Sequence, residues 1–475
     1  MSDQTTVGTS PAEDRALFTR GPIAKHLVAQ SIPMVWGFLA TFGFGIADGL
    51  FVAKLGTVPM AAVTLTAPIT GLIYGLTFGI GIGVASVVSR GIGSGEINKV
   101  QRAVVDSLLL GTVIVLILMV VGLLTIDPLF RFIGGNDATM PYVHDYMKVW
   151  YWGVITVVVP FMSMSAIRAS GDMKAASRIL IYSSLANVVL DPLFIFGWGP
   201  IPRMEVQGAA IATVLAQFLA FGVAAYLLRH KDLVSYAKPK LSEVLDSWKR
   251  VLHVGAPACT TELVFPLVFA VIMIMMASFG DEALAGMGVA GRIEMMAFIP
   301  ILAINTTMGP FAGQNFGAKR MDRIHEAVAL ALKFVFIYGF GSALLLMALS
   351  GWLPTFFDPN PEVIRIARNY LIIVPLSYAI IGACFTMISV LNALGYPKPS
   401  MYLNIIRMLV FYLPLAWFLK GIWGPEGIFA ATPLGFILML IATRIWYKAI
   451  MGKLSAEPAT ADLEIEDAVM AKAED

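Results

Sequence analysis

From Leu27 onward the chain alternates long apolar runs with short clusters of glycine, proline and charge. Twelve runs are long enough to be helices that cross hydrocarbon, near 27–51, 60–85, 104–126, 144–168, 175–197, 208–229, 252–279, 285–310, 327–350, 364–392, 400–420 and 427–449. Roughly 20 apolar residues in a helix cover the hydrocarbon core of a bilayer. Open sheet edges cannot face lipid, and a closed barrel would need short alternating segments rather than these uniform runs. The pattern therefore predicts an all-α integral membrane protein with twelve transmembrane helices.

The pattern also repeats. At an offset of 224 residues, Pro33 returns as Pro257, Gly56 as Gly280, Gly93 as Gly317, Tyr146 as Tyr370, Gly171 as Gly395 and Lys174 as Lys398. After a shorter loop, GAAIAT at 208–213 meets GIFAAT at 427–432. Each half holds six spans, an even number, so both enter the membrane the same way. The expectation is two six-helix pseudo-symmetric bundles around a central cavity, related by a pseudo-two-fold along the membrane normal. The boundaries read as an N-terminal tail 1–26, a first lobe 27–229, an interlobe linker 230–251, a second lobe 252–450 and a C-terminal tail 451–475. The linker is basic and amphipathic, suiting either a helix on the inner leaflet or a solvated connector.

Charge sets the orientation. Arg90, Lys99, Arg102, Arg168, Lys174, Lys231, Lys238, Lys319 and Arg320 cluster in the loops after spans 2, 4, 6 and 8. The opposite loops hold Asp281, Glu282, Asp358 and Glu426. Positive loops stay inside, so both termini are expected in the cytoplasm of a multi-pass inner-membrane protein. Composition agrees: 58% of residues are hydrophobic and 13% charged, against about 25% charged in soluble domains. A net charge of +2 gives no footprint for nucleic acid. Cys259 and Cys384 form no metal or disulfide pattern, and the five histidines are scattered at span ends and loops. Neither an enzyme constellation nor a cofactor site is read; a monomer in lipid is expected.

Few ionisable groups fall inside the spans, where each charge costs roughly 2.5–3.5 kcal/mol on insertion scales. Asp48 lies in span 1, and Asn187 and Asp191 lie one helical turn apart in span 5. Their repeat partners are Ile272, Phe411 and Leu415, so oxygen sits in the first lobe only. Pro192 cannot donate a backbone hydrogen bond and frees the Val188 carbonyl; Thr213 in span 6 adds a hydroxyl. Such hard oxygens suit H⁺ or Na⁺ rather than soft metals. The readings are a coupling-cation site at Asp48, Asn187, Asp191 and Thr213, or a buried structural network. Glu262 in span 7 faces either a cationic ligand in the central cavity or Arg407. Arg292 and Glu294 resemble a local solvated pair, and Asp106 a salt-bridge partner of Arg102. Methionine clusters at 272–276 and 295–296 suit a cavity that repacks around unlike ligands, or plain gap filling. With Glu262, the residues Met273, Met295 and Tyr378 are the candidate substrate-cavity set.

Taken together, SIP opening span 1, ADGLFVAKLG closing it, VSRGIGSGE after span 2, RASGDMKAA after span 4 and NVVLDPLFIFG in span 5 resemble the MATE (multidrug and toxic compound extrusion) family. GQNFGAKR and VLNALGYPKPS stand at the equivalent places of the second half. The resemblance implies a cation-coupled (H⁺ or Na⁺) antiporter that exports drugs and toxic organic compounds by alternating access. The DinF-like branch of that family keeps its acidic site in the first lobe, matching Asp48, Asn187, Asp191 and Thr213. The NorM-like branch uses acids in spans 7 and 10; here Glu262 falls early in span 7 and span 10 shows Ser377 and Tyr378 without an acid. The alternative is a lipid-linked saccharide flippase or another lipid or metabolite exporter of the same fold.

Overall fold

The computed structural model describes residues 16–236 and 240–456. A single 3₁₀ turn, Leu17–Thr19, precedes fifteen α-helices. They are α1 Ile23–Ala53, α2 Thr57–Gly93, α3 Ile97–Phe132, α4 Met140–Gly153, α5 Ile155–Ala169, α6 Met173–Phe196 and α7 Glu205–His230 in the first half. The second half holds α8 Leu241–Ala277, α9 Asp281–Gly317, α10 Met321–Leu349, α11 Pro361–Ile373, α12 Tyr378–Leu394, α13 Pro397–Ile405, α14 Leu413–Trp423 and α15 Pro425–Ala456. Eleven spans are long and apolar enough to cross a membrane unaided, and α4 with α5, bent by 44°, makes a twelfth. The fold is all-α, as the apolar pattern predicts.

Three spans are broken for identifiable reasons. Between α4 and α5 the Thr156 hydroxyl donates to the Gly153 carbonyl at 2.7 Å, competing with the helix ladder. Pro375 lies in the 3₁₀ turn Val374–Ser377 that joins α11 to α12, where its missing N–H and its ring rule out a regular α-turn. The π-helical turn Ile406–Tyr412 joins α13 to α14 two residues ahead of Pro414.

Two large hydrophobic cores form among the described residues, one mostly from α2–α7 and one mostly from α8–α15, with a small third cluster of Val52, Ile195 and Ala209. The two lobes meet where α2 packs on α8 and α1 on α9, with α2 crossing α9 between them. Contact is closest at the end carrying the basic loops. There a Cβ on Gly79 would lie 2.4 Å from the Cys259 backbone nitrogen and one on Gly83 2.3 Å from the Val251 carbonyl oxygen. A Cβ on Gly93 would lie 1.9 Å from the Gln314 carbonyl oxygen, and one on Gly317 2.1 Å from the Arg90 carbonyl oxygen. These two contacts are images of each other under the repeat. Toward the opposite end the lobes part: nothing lies within 4 Å of a Cβ on Gly71 of α2 or Gly288 of α9.

Side chains tie the basic end together. Ser86 Oγ donates to the Asn392 and Ala393 carbonyls at 2.7 and 3.1 Å, and Gln314 Nε2 donates to the Ala169 carbonyl at 2.8 Å. The polar N-terminal stretch contributes more than a tail. Phe18 is fully buried; its N–H donates to Gln314 Oε1 at 3.1 Å, and its carbonyl accepts from Asn315 and Arg323. Residues 1–15, and the end of the C-terminal tail, lie outside the described residues. The linker is shorter than the expected 230–251. Its part from Leu241 on is the start of α8, because no proline or glycine interrupts the chain between Leu241 and Gly255. Trp248 Nε1 donates to the Asp106 carbonyl at 2.7 Å, and Asp106 pairs with Arg102 at 3.0 Å as the sequence suggests.

At this end Asp172 caps α6, accepting from the Ala175 N–H at 2.8 Å, and pairs with Lys231 after α7 at 2.6 Å. Partial burial works against its charge, but the Lys231 and Ala175 bonds outweigh that and hold the carboxyl below its ordinary range. A depressed folded value stabilises above the ordinary aspartate range and is lost as pH falls through the folded one. Asp172→Asn keeps the cap acceptor and removes the pair. Thermal unfolding should show a loss of roughly 0.2–1 kcal/mol at neutral pH, the discounted worth of a partly exposed pair. Well below pH 3.8 the variant and the parent should unfold alike.

Candidate cation site and inter-lobe cleft

The first lobe brings the predicted oxygens together. Asp48 sits in the penultimate turn of α1, and Asn187 and Asp191 share one face of α6. The two helices are joined at their basic ends: the Ser177 hydroxyl donates to the Pro33 carbonyl, Gln30 Oε1 accepts the Met173 N–H at 3.1 Å, and Gly37 lets Ser177 and Leu180 approach. Along that seam the Asp48 and Asp191 carboxyls come within hydrogen-bonding reach of each other. Asp191 is fully buried and Asn187 is 3% exposed.

Asn187 links the acids to α7. One of its amide atoms lies 3.3 Å from Thr213 Oγ1. With the amide nitrogen turned toward Asp191, it donates to Oδ1 at 2.9 Å and Oδ2 at 3.0 Å, which is the orientation an ionised carboxylate requires. Two ionised carboxylates are both acceptors only. A direct Asp48–Asp191 contact therefore needs a proton or a small cation between them. The oxygens available are two carboxylates, the Asn187 amide, the Thr213 hydroxyl and the Val188 carbonyl that Pro192 leaves without its helical donor. Among the described residues no group of three or more His, Cys, Asp and Glu gathers as a metal site.

Two tyrosines join this cluster that the ionisable-residue reading passed over. Tyr74 of α2 lies near Asp48, and Tyr146 of α4 lies near both acids and Tyr74. The repeat match of Tyr146 with Tyr370 was the available signal. Tyr370 has the equivalent part in the second lobe, where its hydroxyl donates to Glu294.

That bond corrects the pairing expected of Arg292 and Glu294. Residues two apart on a helix point about 200° away from each other; Glu294 turns into the second lobe, beside Tyr370 and Tyr378, while Arg292 is exposed on another face. Tyr378 is likewise corrected: it is fully buried against Phe298 and does not line the space between the lobes. Met273 is half-buried against the second core. Glu262 lies where α8 crosses α2, its Cβ 3.5 Å from a Cβ built on Gly75. It is not paired with Arg407, whose guanidinium sits over the Phe436 ring at 4.3 Å. Met295 remains exposed at 49%. A cavity of about 580 Å³ lies against α2, lined by Thr57, Ala61, Thr64 and Pro68 and by Asn136 and Thr139 of the loop after α3.

The MatE family profile matches residues 33–193 and again 257–418, so each half carries one copy. A protein of Shewanella oneidensis described as an FAD transporter is 33% identical over 90% of this chain and 95% of its own length. A Bacillus subtilis protein described as a probable multidrug resistance protein, YpnP, is 24% identical over 91% of this chain and 96% of its own. Among solved structures, a mutant of the Vibrio cholerae MATE transporter VcmN superposes with a TM-score of 0.86 at 29% identity, covering 92% of this chain and 98% of that one. An outward-facing multidrug resistance MATE family transporter gives 0.86 at 24% identity, covering 95% and 100%, a likeness of fold.

Proposed function

The chain belongs to the MATE family of transporters, and from that premise we propose a cation-coupled exporter that works by alternating access, with its ion site in the first lobe. The observation that carries this reading is the contact of a fully buried Asp191 with a partly buried Asp48. Holding H⁺ or Na⁺ there neutralises a pair of acids that otherwise repel. Releasing it leaves buried charge that the α1–α6 seam must rearrange to solvate. The state of that seam then biases which end of the lobe interface closes, since α1 also packs on α9 of the other lobe. Acids on spans 1 and 5 support the DinF-like reading of that site. With the basic loops inside, both termini face the cytoplasm and the parted end faces outward.

The cycle follows as antiport. With the cavity open inward and the acids unloaded, substrate binds between the lobes; once the lobes rock outward, cation enters the first-lobe site and substrate leaves. One charge moving across 100 mV supplies about 2.3 kcal/mol, close to a fifty-fold gradient. For the substrate, drug export is supported by the relatives described as multidrug proteins. Export of a flavin nucleotide is the second reading, favoured by the FAD transporter at 33% identity. Both are tested in inverted vesicles by imposing a pH gradient or a Na⁺ gradient and following a cationic dye and FAD. Uphill accumulation of either under one of the gradients is expected; accumulation indifferent to both would overturn the coupling.

A further inference from the structure

Arg292 is a charge inside a membrane span with no ion-pair or hydrogen-bond partner among the described residues, and it is exposed. Intramembrane charges of that kind face water-filled space rather than lipid, and the helix fixes which space. Ala303 of α9 belongs to the core of the first lobe, and Gln314, on the same face, bonds across to Ala169. Arg292 precedes Ala303 by eleven residues, three turns and about 20°. It therefore lies on the strip of α9 that faces the first lobe, above the level where the two lobes part. Pro68, its partner under the repeat, stands at the equivalent place on α2, the helix that packs on α8 and α9; the 580 Å³ cavity it edges is enclosed by α2 and the loop after α3 within the first lobe.

Helix phase puts matching chemistry on the neighbouring α8 and beside Arg292 on α9. On α8, the face that meets Gly75, Gly79 and Gly83 of α2 carries Glu262 and, two turns further out, Phe269. Phe269 stacks with Phe265 at 6.3 Å, and both rings are more than half exposed. Met295 and Met296 lie beside Arg292, 49% and 45% exposed. The cleft thus offers one fixed cation, flat and polarisable apolar surface, and one carboxyl at its floor.

We infer that Arg292 is the anion-recognition group of the substrate site, taking a phosphate or carboxylate of an aromatic organic anion while Phe265, Phe269 and the methionines hold its ring. A guanidinium presents paired donors that fit such groups in a way a lysine cannot reproduce. Glu262 accepts from N–H or O–H groups on the ring. The inference rests on the exporter reading for the location of the site, but not on the coupling ion.

The test is equilibrium binding to the purified full-length protein, using FAD and riboflavin, which share a ring and differ in phosphate, and ethidium as a cationic control. The parent should bind FAD more tightly than riboflavin. Arg292→Ala should weaken FAD roughly tenfold or more, the worth of a charged hydrogen-bond pair, and leave riboflavin and ethidium within about twofold. Arg292→Lys should recover part of the FAD affinity. Coupling is read separately, as uphill export of the parent under an imposed pH or Na⁺ gradient, which equilibrium binding does not report, so failure of this inference and failure of the coupling are distinguishable. Absence of FAD binding to the parent, equal affinity of the parent for FAD and riboflavin, unchanged FAD affinity in Arg292→Ala, or an equal loss for all three ligands would each overturn it.

Discussion

Asp191→Asn should abolish uphill export while leaving a protein that folds and inserts. The amide is isosteric and can still meet Asp48 and Asn187 by hydrogen bonds, so the α1–α6 seam survives. What disappears is the ability to exchange one monovalent charge, and with it the roughly fifty-fold gradient that 100 mV supports. Asp48→Asn should do the same, and the double variant should be no worse than either alone, because the pair acts as one unit. In inverted vesicles under an imposed gradient, accumulation ratios should fall to about one, with facilitated equilibration remaining. A variant that still accumulates substrate several-fold would remove Asp191 from the coupling.

A second large effect is expected at the closed end of the lobe interface. A Cβ at position 317 would sit 2.1 Å from the Arg90 carbonyl oxygen, and one at 93 would sit 1.9 Å from that of Gln314. Overpacking costs about 1–3 kcal/mol where side chains can yield; a helix backbone yields less. Gly317→Val should therefore depopulate the closed basic end roughly a hundredfold or more. Cysteines replacing Ser86 and Ala393, where the Ser86 hydroxyl reaches the Ala393 carbonyl at 3.1 Å, should be bridged readily by a short bifunctional thiol reagent in the parent and poorly in the valine variant. Gly71→Ala, with nothing within 4 Å, is the control and should crosslink as the parent does. Equal crosslinking in Gly317→Val would show that the glycine contact does not hold the lobes together.

Much of this architecture is legible in the sequence because a bilayer leaves little choice. Hydrocarbon demands long helices, so the spans announce themselves, and gene-scale duplication leaves Pro33 and Pro257, or Gly93 and Gly317, at one fixed offset. Buried acids stand out for the same reason: Asp48 and Asp191 are costly enough in an apolar run to require an explanation. What stays hidden is what an apolar run does not mark. Tyr74 and Tyr146 look like any aromatic on a membrane helix. Arg292 and Glu294 read as partners because they are neighbours in sequence, whereas the helical turn leaves one exposed and sends the other to Tyr370. Phe18 lies in a polar stretch and carries no periodic signal, and its burial depends on Gln314, Asn315 and Arg323 from the far lobe. The start of α8 is ambiguous because an amphipathic segment runs without a breaker into an apolar one.

The central claim is that occupancy of the Asp48–Asp191 pair biases which end of the lobe interface is closed. The direct measurement is the distance between spin labels on the two lobes at the basic end, followed through steps of pH and of Na⁺. The parent should redistribute between a short and a long distance with one of the two ions, and Asp191→Asn should stay fixed in one distribution under both. A variant that redistributes as the parent does would contradict the account.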